Sequence, residues 1–340
     1  MIINGILENE GEPAVVDGAN QRPYYLRLSV TEACKYRCPY CQPTAPSSCT
    51  PNSRLLKPHQ IGELIGLMGA SGVTKVRLTG GEPLQRPDIL EIVDEISRVP
   101  EIQEIALTTN GGELANYAGA LKRAGLGRVN VHIDSLKPER YTELSGGFEL
   151  APALAGVRAA LKAGLGPVKL NVVLIKGVND DELIDFCEFA ISEGVIVRFI
   201  ELMHTGPSQP YVDQHFMTAE SARQKIMEHY QLTPQFEDRG RNPARQYDLN
   251  GGQGVIGFIS SESEPFCDGC NRLRITADGT LLHCLYEAVG ISLLPVLFDS
   301  NVGQKERIDF IEHAIGRKRS HHPVLGQAGK RLFSMASIGG

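Results

Sequence analysis

With 340 residues, the chain has room for one large or two moderate domains and a substantial core. A net charge of −6 excludes whole-chain basicity as a signal for nucleic acid or a membrane surface, and no apolar run approaches the ~18 residues of a membrane span. Most of the 8 cysteines fall into two compact groups, not a scattered even framework, which points to a reducing, cytoplasmic setting.

Residues 24–30, YYLRLSV, alternate β-branched, aromatic and polar side chains and read as a strand. TEACKYRCPYC follows at 31–41 and carries Cys34, Cys38 and Cys41, spaced x3 then x2. Three thiolates on one short loop can converge on a soft metal centre. A cubane iron–sulfur cluster usually takes four cysteines, so three would leave one iron open for a small molecule. A zinc knuckle completed from elsewhere is the alternative, as is a redox pair in Cys38-x-x-Cys41, although no helical pattern follows Pro39 and Tyr40. Cys49, in a polar irregular stretch, has nothing to pair with by spacing.

A helix opening at Pro58 and running to 68 places Ile61, Leu64, Ile65 and Met68 on one face. An alternation then begins, with strands at 73–79, 103–110, 128–134, 168–175 and 194–201 and helices at 88–99, 113–124, 151–163 and 180–192. With the first strand this makes six strand–helix units, hence a parallel sheet. Six fall short of the eight that close a barrel, so the expected fold is α/β, a partial, open six-stranded parallel β/α barrel.

Buried parallel strands normally read as continuous apolar runs. Here polar groups recur at period two: Arg27 and Ser29; Lys75, Arg77 and Thr79; Thr108 and Asn110; Asn130, His132 and Asp134; Lys169 and Asn171; and Arg198. A single such residue would be a strand end reaching solvent. The repetition is better explained by a lumen that holds a polyanion, because unpartnered buried cations each cost several kcal/mol. TGGEP (79–83) leaves the second strand on the same side of the sheet as the cysteine loop. Its glycines permit a tight turn with exposed amides, and Glu82 offers an acceptor, so it reads as a ligand clamp.

Near Met203 the pattern changes, which divides the chain into a barrel unit at 1–203 and a C-terminal region of short strands and helices at 204–340. A helix at 218–230 with Thr218 as N-cap, a strand at 254–260 and a hairpin turned by Asp278-Gly279 are expected there. Around the hairpin lie Cys267, Cys270 and Cys284, again three cysteines, with zinc a serious alternative. Arg272 and Arg274 flank Leu273 and point the same way. Cys187 sits on an apolar helix face and reads as core. A helix at 304–316 precedes a basic stretch, and the terminal Gly339-Gly340 reads on composition as a frayed tail.

These motifs resemble the GTP 3′,8-cyclases of molybdenum-cofactor biosynthesis, within the radical S-adenosylmethionine superfamily. CxxxCxxC with GGEP marks the superfamily. YLRLSVT, VRLTGGEPL, VKLNVVLIKGVND, RFIELM, EPFCDGCNRLRITADG and the final IGG mark the cyclases, from about Tyr25 to Gly340. The resemblance implies a lyase with two [4Fe–4S] clusters and S-adenosylmethionine as cofactors. Cys34, Cys38 and Cys41 would ligate the first cluster, and Cys267, Cys270 and Cys284 the second, whose open iron meets the guanine. Tyr40, Gly81, Glu82 and Met203 fall at cofactor-contact positions. His132 stands where the family usually has Ser. Arg27, Arg77, Thr108, Lys169, Arg272 and Arg274 fall at GTP positions, with Lys75 beside them. Gly339-Gly340 would reach into the active site as a catalytic tail. The implied partners are GTP, a low-potential electron donor and a downstream cyclic pyranopterin monophosphate synthase; a homodimer is left open. Competing readings are a peptide-modifying radical enzyme with an auxiliary cluster, a non-enzymatic zinc-binding protein and a nucleotide-binding regulatory module.

Overall fold

The computed structural model describes residues 25–41, 54–204, 209–235, 243–267, 270–287, 289–318 and 335–338. Six parallel strands form its middle: β1 (Tyr25–Ser29), β2 (Lys75–Thr79), β3 (Glu104–Thr109), β4 (Arg128–His132), β5 (Lys169–Leu174) and β6 (Ile196–Glu201). They pair in sequence order, as the six expected units require. Two strands from the C-terminal region extend this sheet in parallel, β9 (Gly254–Ile259) beside β6 and β10 (Arg272–Ile275) beside β1. Pairing between residues so far apart in sequence leaves no local periodicity, so only the structure shows it. The eight parallel strands do not close, because each edge continues into antiparallel strands. β11 (Thr280–Leu282) and β12 (Ile291–Ser292) follow β10, while β8 (Arg245–Leu249) and β7 (Leu232–Pro234) follow β9.

Alternation along the strands separates two environments. Leu26 and Leu28, Val76 and Leu78, and Val129 and Val131 are fully buried against the helices. These include α1 (Pro58–Ala70), α2 (Ile89–Ser97), α3 (Leu114–Arg123), α5 (Leu150–Lys162) and α6 (Leu183–Glu193). α1 starts with Pro at its first position and buries Ile61, Leu64, Ile65 and Met68 as its spacing requires. Cys187 is fully buried on α6.

Among the described residues, four helices were not evident from the sequence, at Pro138–Ser145, Gln209–His215, Leu294–Leu297 and Met335–Ile338. α4 (Pro138–Ser145) is short and polar, with little apolar periodicity to reveal it. It ends at Gly146, whose φ of 78° suits the left-handed C-cap. α7 (Gln209–His215) lies just past Met203, where the pattern changes and no helix is expected before residue 218. α8 (Ala219–Met227) is capped by Thr218, whose hydroxyl accepts from the Ser221 amide at 3.1 Å. α9 (Leu294–Leu297), α10 (Gln304–Gly316) and α11 (Met335–Ile338) complete the C-terminal region. Among the described residues no helix is long and apolar enough to cross a membrane.

Candidate active site

The cysteine loop is held in place by backbone contacts from two neighbours. Gly81 N donates to Thr31 O and Glu82 N to Ala33 O, both at 2.7 Å. A Cβ on Gly81 would lie 2.3 Å from Ala33 O, so only glycine allows the two backbones to approach this closely. The amides expected to clamp a ligand are therefore engaged by the loop itself. From the other side, Arg37 N donates to Ser145 O, a free carbonyl at the end of α4, at 2.9 Å. The Glu82 carboxylate is 2% exposed and accepts from Thr109 Oγ1, Asn110 N and Leu84 N at 2.7–3.0 Å. Burial raises its pKa against those bonds.

A first cavity of about 200 Å³ is rimmed by Cys34, Cys38 and Cys41 and faced by Tyr40, Gly81, Glu82, His132 and Met203. All eight residues expected at the cofactor end are thus gathered in one place. His132 Nε2 lies 2.8 Å from Asp134 Oδ2, and the Tyr40 hydroxyl bonds to both side chains. Burial opposes a charge on His132, yet Asp134 raises its pKa. Met335 and Ala336 of α11 also line this cavity. Gly339 and Gly340 lie outside the described residues, as does Cys49.

A second cavity of about 160 Å³ is rimmed by Cys267, Cys270 and Cys284 and faced by Arg27, Thr108, Arg272 and Arg274. Thr108, Asn171, Ile200 and Met203 line both cavities, so the two share a wall. Strand register sets Arg27 between Arg274 and Arg77, three guanidinium side chains in a row across β10, β1 and β2. Arg274 also donates to Ile338 O at 3.1 Å, which ties α11 to this row. Arg77, Lys75 and Lys169 do not line either cavity. Arg77 donates from Nη1 to Thr108 Oγ1 at 3.4 Å, Lys75 pairs with Glu104 at 3.0 Å, and Lys169 Nζ lies 3.4 Å from Gln246 Oε1. Burial and neighbouring guanidiniums pull Arg198 and Arg274 down to about 9. His283 lines the cavity, but Ala314 O at 2.7 Å and Glu287 at 3.2 Å occupy both ring nitrogens, so it is no fourth ligand here.

The residues fit soft-metal cofactors and an anion. Each cysteine trio rims a cavity, while among the described residues no group of three His, Cys, Asp or Glu closes on a single-ion site. Burial pushes the Cys34 and Cys41 thiols up to about 11 and about 12, so their thiolates need a positive centre to stabilise them. Buried polar atoms facing the cavities lack hydrogen-bond partners: Thr79 Oγ1 in the first, Arg27 Nε, Arg272 Nε and Ser261 Oγ in the second. Such groups call for a ligand.

Residues 28–190 match the radical SAM superfamily, and residues 195–324 match the molybdenum cofactor synthesis C family. The GTP 3′,8-cyclase of Pelotomaculum thermopropionicum is 42% identical over 93% of this chain and 97% of its own length. The chain belongs to the GTP 3′,8-cyclase family. The cyclase of Moorella thermoacetica is 43% identical over 93% of this chain and 97% of its own. Among solved structures, Streptococcus suis SuiB bound to S-adenosylmethionine superposes with a TM-score of 0.59 at 16% identity, covering 84% of this chain and 68% of SuiB. That likeness is one of fold. As a radical SAM enzyme, this family member uses S-adenosylmethionine and an iron–sulfur cluster.

Sequence reasoning named Arg198 and Asn171 only as inward polar groups. In the structure Arg198 donates to Asn171 Oδ1 from Nε at 3.0 Å and Nη2 at 2.5 Å, within the second cavity. Tyr25, Glu104, Arg128 and Ser261 were missed. Tyr25 and Arg128 stand at strand starts, where period two gives no second residue to confirm a face.

Proposed function

We propose that the chain cyclises GTP to (8S)-3′,8-cyclo-7,8-dihydroguanosine 5′-triphosphate, the first step of molybdenum cofactor biosynthesis. The observation that carries this is a pair of cysteine-rimmed cavities with a common wall, one of them lined by guanidinium groups. Cys34, Cys38 and Cys41 hold one [4Fe–4S] cluster, and Tyr40, Gly81, Glu82, His132 and Met203 surround S-adenosylmethionine. When bound, that reduced pair supplies a carbon-centred oxidant able to take a hydrogen atom from a ribose C–H. Arg27, Arg272 and Arg274 bind the triphosphate, with Lys75, Arg77 and Lys169 supporting from beneath. Thr108, on the shared wall, sits where the ribose must lie between triphosphate and cofactor.

Cys267, Cys270 and Cys284 hold a second [4Fe–4S] cluster facing the guanine. Gly339-Gly340 acts as a tail into the active site; the placement of Met335 and Ala336 in the first cavity supports it. On this reading residues 1–203 form the unit that generates the oxidant and residues 204–340 the unit that grips the purine. A low-potential donor supplies the electron, and a cyclic pyranopterin monophosphate synthase consumes the product. Anaerobic, cluster-loaded protein incubated with GTP, S-adenosylmethionine and dithionite should yield the cyclised triphosphate by mass. Formation of 5′-deoxyadenosine with GTP unchanged would reject the assignment.

A further inference from the structure

Beneath the second cavity one oxygen stands among many cations. Tyr25 opens β1 and is 9% exposed. Strand register places Lys75 of β2 on one side of it and Arg272 of β10 on the other. Its hydroxyl accepts a hydrogen bond from Arg77 Nε, and Arg27, two residues along on the same face, bonds it as well. Lys75 Nζ lies 5.2 Å from the ring centroid and the Arg77 guanidinium carbon 5.9 Å. Arg128, Arg198 and Arg274 complete the surroundings, and α11, which packs on β1, contributes no charged side chain. Glu104 is already engaged by Lys75 at 3.0 Å and by Arg128 at 2.7 Å. Among the described residues Arg27, Arg77, Arg198 and Arg272 have no carboxylate partner.

We propose that the Tyr25 oxygen is the resident counter-ion of this floor, holding Arg27 and Arg77 for the substrate's triphosphate, and that it takes up a proton from solvent when the phosphates assume that role. The proposal rests on the reading of the cavity as a triphosphate site. A phenol ordinarily titrates near 10. Burial opposes ionisation of Tyr25, but Arg77, Arg27 and Lys75 outweigh it and bring the pKa down to about 7. As phenolate the oxygen offsets part of the repulsion among guanidiniums that no carboxylate neutralises. An arriving polyanion neutralises those cations and repels the phenolate, so the pKa climbs back and a proton is bound. The neutral hydroxyl can still accept from Arg77, while Arg27, which lines the cavity, is left to face the phosphates. Binding coupled to proton uptake weakens as pH rises through the free-state pKa.

The test uses cluster-loaded protein and inorganic tripolyphosphate, which has no ribose or base, so its outcome is independent of whether GTP is cyclised. Calorimetry in two buffers of different ionisation heat counts protons at about pH 6 and about pH 8. A phosphate moved among cations releases protons if anything, so uptake at the higher pH reports on the protein. We expect up to about one proton taken up near pH 8 and almost none near pH 6, with affinity falling about fivefold between about pH 7 and 8. Tyr25→Phe should abolish both effects. In the wild type, adding tripolyphosphate near pH 8 should also bleach the ultraviolet tyrosinate band in a difference spectrum, which needs no variant. Equal uptake in wild type and Tyr25→Phe would assign the proton to the neighbouring cations, Lys75, Arg198 or Arg274, and overturn the proposal. So would an unchanged tyrosinate band.

Discussion

At the scale of single residues, the site is marked by side chains that the fold alone does not satisfy. Arg27 has a buried Nε with no hydrogen-bond partner, and its pKa is lowered by burial and then by Arg77 and Arg272, against the pull of Tyr25. A net lowering means that the charged form is disfavoured in the ligand-free protein. Removing that charge should therefore help folding while harming binding. Arg27→Met is expected to raise the thermal midpoint of the ligand-free protein by roughly 2–4 °C. The same change should weaken GTP binding by about 1.5–3 kcal/mol, as for hydrogen bonds to a charged group. Melting curves and equilibrium binding check both signs; a lower midpoint with unaltered GTP affinity would return Arg27 to a structural role. Arg27, Arg77 and Arg274 were legible because each repeats at period two beside an apolar neighbour. Tyr25 was not, since a tyrosine opening a strand looks like ordinary core until register puts cations on both sides of it.

At the scale of elements, the turn at Gly80 and Gly81 carries the cysteine loop as one strand end carries another. The sequence places GGEP at the correct sheet end, yet it gives no sign that the turn's amides face Thr31 and Ala33 and not a ligand. That assignment needs the tertiary approach of β1 and β2. Gly81→Ala would set a Cβ 2.3 Å from Ala33 O and 2.5 Å from Glu32 O, both backbone atoms that cannot swing aside. The loop must then lift, and three thiols that share one cavity rim lose their common focus. We expect Gly81→Ala to keep its helical circular dichroism but to lose most of its first-site iron and S-adenosylmethionine binding. At Gly66, inside α1, an added Cβ would meet nothing within 4 Å, so Gly66→Ala should retain iron and gain about 0.5–1 kcal/mol. Full iron retention in Gly81→Ala would show that the close approach is not what holds the loop.

At the scale of the whole molecule, the chain builds two chemically different ends on one continuous sheet. The first cysteine trio follows β1, the second precedes and follows the β10–β11 hairpin, and β1 and β10 are hydrogen-bonded neighbours. Strands nearly the whole chain apart in sequence thereby set the two cavities against a common wall. The alternation of strands and helices could be read from the sequence because it is local. The partnership of β1 with β10 could not, although it decides how the two sites face each other. If the proposed function holds, this arrangement would give the two trios separable roles. On the proposed reading the first generates an oxidant from the cofactor, which would require nothing from the second cavity, and the second would hold the substrate where that oxidant can be used. Cys41→Ser should therefore abolish 5′-deoxyadenosine formation outright. Cys284→Ser should retain some cofactor cleavage, uncoupled from any cyclised nucleotide, because on that reading the guanidinium row would still bind triphosphate while the base would no longer be fixed. Chromatography of both products from the same anaerobic incubations distinguishes the two variants. If both lose 5′-deoxyadenosine to the same degree while keeping the other site's iron, generation and use of the oxidant are not divided between the cavities, and the second trio belongs to the cofactor's own chemistry.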